Sequence, residues 1–223
     1  MIVGAIMPAA GAGRRLGGVR KAFMDIAGKP MLLHSIDVFL AYPQMSCVVV
    51  PVSPDDFDSI PEWLKRKGVN FVHGGAERAD SVRAGLNAMP DDVEAVIVHD
   101  AARPLLTRDM IDRVLEPVKA GKSATIAVRV TDTLHEVSDD GLIRATPDRS
   151  HYWRAQTPQA FPRNVLETAF ATALDAYSAT DEAGLVAAGG WPVVVVEGEA
   201  RNIKVTHPED IAIVESMLRE RGR

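Results

Sequence analysis

The chain has 223 residues, 47% hydrophobic and 25% charged, with a formal net charge of −5. That length supports one sizeable core, and the composition is that of a soluble globular fold rather than a disordered or fibrous one. The acidic balance argues against a general nucleic-acid binder, and no apolar run comes near the ~18 residues of a membrane span. Neither nucleic acid nor membrane is therefore expected as a partner. The opening "MIVGAIMPAAG" lacks the basic segment and length of a signal peptide. A single cysteine, Cys47, excludes an intrachain disulfide and fits a reducing cytosol, so a cytoplasmic protein is expected.

From the N-terminus, "MIVGAIM" reads as a strand covered on both faces, being continuous and apolar rather than alternating. It runs into a glycine-rich stretch loaded with cations. Between residues 14 and 29, Arg14, Arg15, Arg20, Lys21 and Lys29 are opposed only by Asp25. An acidic chain that gathers cations in one loop is suited to a small, highly charged anion. A helix is predicted over 30–42, with Leu32, Leu33, Ile36, Phe39 and Leu40 on one face. The strand "CVVVPV" follows, and Ser53-Pro54 then marks the start of a helix predicted over 54–67. "VNFV", a helix over 77–89, "AVIVH", a helix over 107–120 bent at Pro117, and "ATIAVRV" continue the alternation. The pattern specifies a three-layer α/β sandwich around a mostly parallel twisted sheet.

The rhythm breaks after residue 129. "VTDTLHEVSDDGLIRATPDRSHYWRAQ" holds a turn signal, Asp140-Gly141, between two partly alternating segments, and reads as a β-arm over about 130–154. Such an arm is either a solvated excursion or a dimerisation element. Helices are predicted near 163–176 and 181–189, with the strand "PVVVVEG" after them. A last helix is announced by Thr206-His207-Pro208-Glu209, a capping-box spacing. No repeat or flexible linker divides the chain, so residues 1–223 are expected to form a single domain.

Two familiar phosphate motifs fail on the glycine loop. A dinucleotide fingerprint counted from Gly11 and Gly13 needs a third glycine where Leu16 stands, and the region that should carry a ribose-binding acid reads as helix. A P-loop needs lysine directly after its last glycine, and Gly18 is followed by Val19. What remains is Gly11-Ala12-Gly13 with arginines behind it. Small residues let a ligand approach the backbone, whose amides can donate to phosphate oxygens; a solvated turn is the plain alternative.

The blocks "PAAGAGRRLG…RKAF", "GGAERADSV", "VHDAARP", "RAQTPQAF", "TDEAG" and "NIKVTHPED" occur in the order seen in 2-C-methyl-D-erythritol 4-phosphate cytidylyltransferases. The resemblance runs from residue 3 to about 215. It implies a Rossmann-like nucleotidyltransferase fold and transfer of CMP from CTP to the phosphate of 2-C-methyl-D-erythritol 4-phosphate, releasing pyrophosphate, in non-mevalonate isoprenoid precursor synthesis, with Mg²⁺ or another divalent cation accompanying CTP. It also implies that Arg15, Lys21 and Lys204 are the catalytic cations, and that Ala9, Ala10, Gly11, Gly13, Gly75 and Ser81 hold the nucleotide. Asp100, Arg103, Thr133, Arg149, Thr157 and Thr180 resemble the polyol-phosphate contacts. By the same resemblance the arm embraces a second subunit, making a homodimer in which Thr133 and Arg149 complete the neighbour's site.

Plainer roles stand beside these: Ser81 and Asp100 as helix caps, and Thr180 as the N-cap of the helix after it. His99, next to Asp100, points to the opposite face of its strand and is expected to be buried and supporting. No side-chain set has zinc-site spacing, so no protein-held metal is expected. Arg20 stands where proline is common in the family, and Ala76 where aspartate is frequent. With few residues after the final helix, no fused cyclodiphosphate synthase domain is expected. A cytidylyltransferase for ribitol phosphate or another polyol phosphate, and a non-catalytic nucleotide-binding regulator, are the competing readings.

Overall fold

The structure, a computed structural model, describes residues 1–11, 21–172 and 179–221. β1 (Val3–Ile6) is followed by a short antiparallel pair, β2 (Asp25–Ile26) and β3 (Lys29–Pro30), and by α1 (Met31–Leu40). Then come β4 (Met45–Val52), α2 (Pro54–Phe57), β5 (Val69–His73), α3 (Arg78–Asn87), β6 (Ala95–Val98) and α4 (Arg108–Lys119). β7 (Ser123–Arg129) leads to β8 (Glu136–Val137), β9 (Ile143–Ala145) and β10 (Trp153–Pro162). α5 (Arg163–Thr172), α6 (Glu182–Ala188), β11 (Val193–Glu197) and α7 (Pro208–Arg221) complete the described elements.

Among the described residues the main sheet has seven strands in the order β11-β7-β10-β6-β1-β4-β5. β10 runs antiparallel to both of its neighbours, and the remaining pairings are parallel. The strands are apolar without alternation because both faces are covered. Ala5, Val48, Val50 and Ile97 face α1 and α4, packing with Leu32, Ile36, Met110 and Val114. Their immediate neighbours Ile6, Val49, Val96 and Val98 face α3, α5 and α6, packing with Val82, Leu86, Phe170 and Leu185. This is the expected three-layer sandwich. On the second face α3 comes unusually close to the sheet: a Cβ on Gly85 would lie 2.6 Å from Ile6 Cγ2. That close approach brings the start of α3 over the strand ends.

Three local expectations are corrected. The helix predicted over 54–67 stops at Phe57, and a separate 3₁₀ turn covers Glu62–Leu64. Pro61 disfavours helical backbone at Ile60 and cannot donate an N–H, so the helix cannot continue through it. Ser53 does cap the surviving turn, accepting from the Asp56 N–H at 3.2 Å. At α7, Asp210 rather than Glu209 supplies the capping carboxylate, accepting from Thr206 and His207 N–H at 2.7 and 2.8 Å. β10 is a strand that the sequence signals do not announce, since it contains Pro158 and Pro162 and a polar run, Gln156-Thr157-Pro158-Gln159. Its buried polar groups are tolerated because they are bonded: Gln159 donates to Asp181 Oδ2 at 2.8 Å and accepts from the Ala183 N–H at 3.0 Å. The last residues of the helix predicted over 163–176 lie outside the described residues.

Within the expected arm, β8 and β9 form a two-stranded antiparallel hairpin apart from the main sheet, while Trp153 and Arg154 already belong to β10, paired with β7. Gly141 supplies the positive φ of 83° that the hairpin turn requires.

Candidate active site

After β1 the chain moves to β4 and β5 on one side, then returns to β6 on the other side of β1. A reversal of this kind opens a crevice at the C-terminal strand ends. A cleft of about 750 Å³ occupies that position. Ala9, Ala10 and Gly11 line it after β1, and Lys21 follows in a 3₁₀ turn. Gly75 and Ser81 contribute from the β5–α3 junction, Asp100 from the end of β6, and Lys204 from the segment before α7. Arg15 and Gly13 lie outside the described residues, as does Arg20.

The β5–α3 loop is held tightly. Ser81 Oγ accepts from the Gly75 N–H at 3.2 Å and donates to the Glu77 carbonyl at 3.3 Å. A Cβ on Gly75 would lie 2.1 Å from Asp80 Cβ, so the loop requires glycine there. The helix itself is capped by Glu77 and Asp80, which leaves Ser81 to shape the loop. Ala76 lines the cleft without a polar side chain.

Lys204 is aimed by its neighbours. Val205 is fully buried against Ile26, Met31 and Val214, and its N–H donates to the Ala102 carbonyl at 2.8 Å. On the other side Asn202 donates to the Thr157 carbonyl at 2.8 Å, and its own carbonyl accepts from Arg103 Nη1 at 2.7 Å. Lys204, half-exposed between these anchors, places Nζ 2.8 Å from Asp100 Oδ2.

Asp100 is buried and ringed by cations: Lys204, Arg78 Nη2 at 3.4 Å from Oδ1, and Arg103 Nε at 3.6 Å from Oδ2. Burial alone would raise its pKa, but Lys204, then Arg78 and Arg103, hold it far below the usual carboxylate range. Asp100 caps no helix; the N-cap of α4 is Thr107. Its backbone N–H donates to Thr157 Oγ1 at 2.9 Å, and Thr157 Oγ1 lies 3.1 Å from His99 Nδ1. His99 Nε2 is 3.0 Å from the Arg103 carbonyl. One set of roles satisfies all three: Nε2–H donates to that carbonyl, and Nδ1 accepts from the Thr157 hydroxyl. Burial lowers the His99 pKa to about 4 despite these bonds, so the ring is neutral and structural, as expected from its strand face.

The remaining candidates fall elsewhere. Arg103 and Thr157 are buried behind Asp100. Thr180 is exposed and does not cap α6; Asp181 does, accepting from the Gly184 N–H at 2.8 Å. Thr133 and Arg149 sit on the arm, where Arg149 Nη1 donates to the Thr131 carbonyl at 2.6 Å. Sequence reasoning misses Arg78, which lines the cleft, and the buried Glu182 behind it, paired with it at 2.7 Å. A signal for Glu182 exists: it occupies the buried face of α6 with Leu185 and Val186, where a carboxylate needs a partner.

Cations and small-residue loops gathered at the strand ends of a parallel sheet define an enzyme acting on a highly phosphorylated ligand. The family model described as "IspD: 2-C-methyl-D-erythritol 4-phosphate cytidylyltransferase" matches residues 3–220. A 2-C-methyl-D-erythritol 4-phosphate cytidylyltransferase of Symbiobacterium thermophilum is 41% identical, over 99% of this chain and 94% of that protein. The crystal structure of the enzyme so named from Thermus thermophilus is similar with a TM-score of 0.82 and 34% identity, covering 98% of this chain and 100% of that one. The 4-diphosphocytidyl-2C-methyl-D-erythritol synthase of Anaerococcus prevotii has a TM-score of 0.85 at 27% identity, with 98% of each chain covered. The chain belongs to the 2-C-methyl-D-erythritol 4-phosphate cytidylyltransferase family of nucleotidyltransferases.

Proposed function

We propose that the cleft binds CTP and transfers its CMP unit to the phosphate of 2-C-methyl-D-erythritol 4-phosphate, releasing pyrophosphate, in the non-mevalonate route to isoprenoid precursors. This is the reaction named by the family. The observation that carries it is the meeting of Lys21, Lys204 and Asp100 in one cleft beside the Ala9–Gly11 backbone.

An oxygen of the acceptor phosphate attacks the α-phosphorus of CTP in line. A P–O bond forms as the bond to the bridging oxygen breaks, and pyrophosphate leaves with that electron pair. No protein nucleophile is required, and the lone thiol, Cys47, lies in β4 with its pKa raised by burial. Catalysis then rests on alignment and charge neutralisation. Lys21, with Arg15, takes the triphosphate, and Lys204 meets the α-phosphate from the opposite wall. Gly11 and Gly13 give the phosphates room, while Ala9, Ala10, Gly75 and Ser81 read the cytosine edge through backbone groups and one hydroxyl. Asp100 accepts from hydroxyls of the polyol, with Arg103 and Thr157 serving it from behind and Thr180 as a further polyol contact.

Among the described residues no group of three or more His, Cys, Asp or Glu could hold a metal ion. Asp100 is engaged by Lys204 at 2.8 Å. A divalent ion such as Mg²⁺, arriving with CTP, would offset the charge of its phosphates beside Lys21 and Lys204. The arm makes the enzyme a homodimer in which Thr133 and Arg149 of one protomer complete the polyol-phosphate site of its partner. Exposed Val137, Leu142 and Ile143 on the hairpin support that reading. Among the described residues no helix is long and apolar enough to cross a membrane. We place the enzyme in the cytoplasm, acting on small molecules alone.

Pyrophosphate release from CTP and Mg²⁺, compared with methylerythritol phosphate and with ribitol phosphate as acceptor, is the direct test. Release with the first and little with the second is expected. No release with the first overturns the assignment.

A further inference from the structure

Glu182 is buried on the apolar face of α6, its side chain 3% exposed. A carboxylate stripped of water there must be paired. Arg78, at the start of α3, pairs it: Nη1 lies 2.7 Å from each carboxylate oxygen. Both helices pack on the same face of the sheet, so the ion pair is a brace between them. The other end of the guanidinium, Nη2, remains at the cleft, 3.4 Å from Asp100 Oδ1.

Besides Arg103, Asp100 thus meets two cations of different character. Lys204 is half-exposed on a long flexible stem, whereas Arg78 is fixed from behind by Glu182. A lysine that neutralises the α-phosphate must loosen its 2.8 Å contact with Asp100. A buried carboxylate whose one counter-ion was that lysine would hold it back, since leaving the charge unpaired is costly. Arg103 offers limited cover, because its Nη1 is committed to the Asn202 carbonyl and its Nε stands 3.6 Å from Oδ2.

We propose that Arg78 and Glu182 form a positioning pair that keeps Asp100 charged and in place while Lys204 moves from that carboxylate to the nucleotide phosphate. The proposal deepens, and rests on, the reading of the cleft as a CTP-dependent transferase. The pair contributes nothing to CTP capture itself; it acts when charge develops at the α-phosphate. Its loss therefore lowers kcat and leaves KM for CTP nearly unchanged.

The test is initial-rate kinetics on full-length Arg78→Gln, Glu182→Gln, Arg78→Lys and the double Gln variant, with CTP binding by calorimetry and folding by circular dichroism. Arg78→Gln is expected to lower kcat about 10–100-fold, the range for a hydrogen bond to a charged group, with KM for CTP within about 3-fold of wild type. Glu182→Gln should fall the same way. The double variant should be no slower than Arg78→Gln alone, because the two residues act as one unit. Arg78→Lys, which keeps a cation beside Asp100, should recover part of kcat. Wild-type kcat in a folded single variant, a defect confined to KM, or additive losses in the double variant would overturn the proposal. Should a single Gln variant fail to fold, the double variant leaves no unpaired buried charge and Arg78→Lys keeps the cation; wild-type kcat in the double variant then overturns it. An inactive wild-type enzyme defeats the functional reading and the pair together, whereas active wild type with unaffected variants defeats the pair alone.

Discussion

The Asp100 cluster and the β-arm carry candidate residues on opposite terms. Around Asp100 the charges are answered within the chain: Lys204, Arg78 and Arg103 face the carboxylate, and Glu182 holds Arg78. The arm leaves Leu142 and Ile143 66% and 60% exposed, and its Arg149 bonds only backbone of the arm itself among its described hydrogen bonds. Groups that stabilise developing charge must be held before the reaction, which buried pairing achieves. Groups that belong to an interface must stay uncovered until a partner arrives. One region is finished by folding; in the proposed homodimer the other is finished by association.

The largest effect should come from the finished region. Lys204→Ala removes the cation assigned to the α-phosphate and is expected to lower kcat by about 10²–10³-fold, by analogy with loss of an oxyanion donor. Light scattering should show the same oligomer as wild type, since Lys204 is remote from the arm in sequence and lies at the cleft. A variant with kcat close to wild type, or one that dissociates, would erase the distinction drawn between the two regions.

A smaller effect concerns how the cluster is built. His99 is buried neutral with a pKa of about 4, below the ordinary ~6.5 of the unfolded chain. Between those values the unfolded state binds the extra proton, so stability falls as pH falls. The interval corresponds to about 3 kcal/mol, all of it retained above pH ~6.5 and lost by pH ~4. The stability held by the depressed Asp100 pKa is lost only further down, below the usual carboxylate range. Denaturant unfolding at a series of pH values should show the first loss in wild type and a flatter slope in His99→Gln. Equal slopes would mean that the ring is not the neutral support of Thr157 and Asp100.

The difference between the regions also explains what can be read without coordinates. The parallel strands are legible because two-sided burial leaves uninterrupted Val and Ile runs. β10 is not, because Gln156, Thr157 and Gln159 are accepted in the core through partners distant in sequence: Asp181, Ala183, His99 and Asn202. The helix after Ser53 reads too long because a good start signal outweighs Pro61, a stop signal. At the site, Lys21, Asp100 and Lys204 come from ordered motif blocks, and the cleft gathers them. Arg78 stands inside one such block yet escapes notice, since its meaning depends on Glu182, 104 residues away. Thr133 and Arg149 can be named from the family resemblance, but within this chain the described hydrogen bond of the Arg149 guanidinium goes to the Thr131 carbonyl, and their place in a site rests on the proposed homodimer.

The smallest effect is the one that separates the regions most sharply. Arg149→Ala removes a guanidinium from the arm and should leave CTP binding intact while lowering kcat/KM for the polyol phosphate about 10–100-fold, the range for a charge-assisted hydrogen bond. In a homodimer with shared sites, that lesion falls in the partner's site, whereas Lys21→Ala falls in the chain's own. A mixed dimer of the two variants then has one site carrying both lesions and one carrying neither. Mixing the purified variants under conditions that exchange subunits should raise activity above that of either parent, each heterodimer regaining one intact site. If exchange is confirmed by mass and activity does not rise, Arg149 acts within its own chain. The arm would then be as self-contained as the Asp100 cluster, and its exposed Leu142 and Ile143 would need a different explanation.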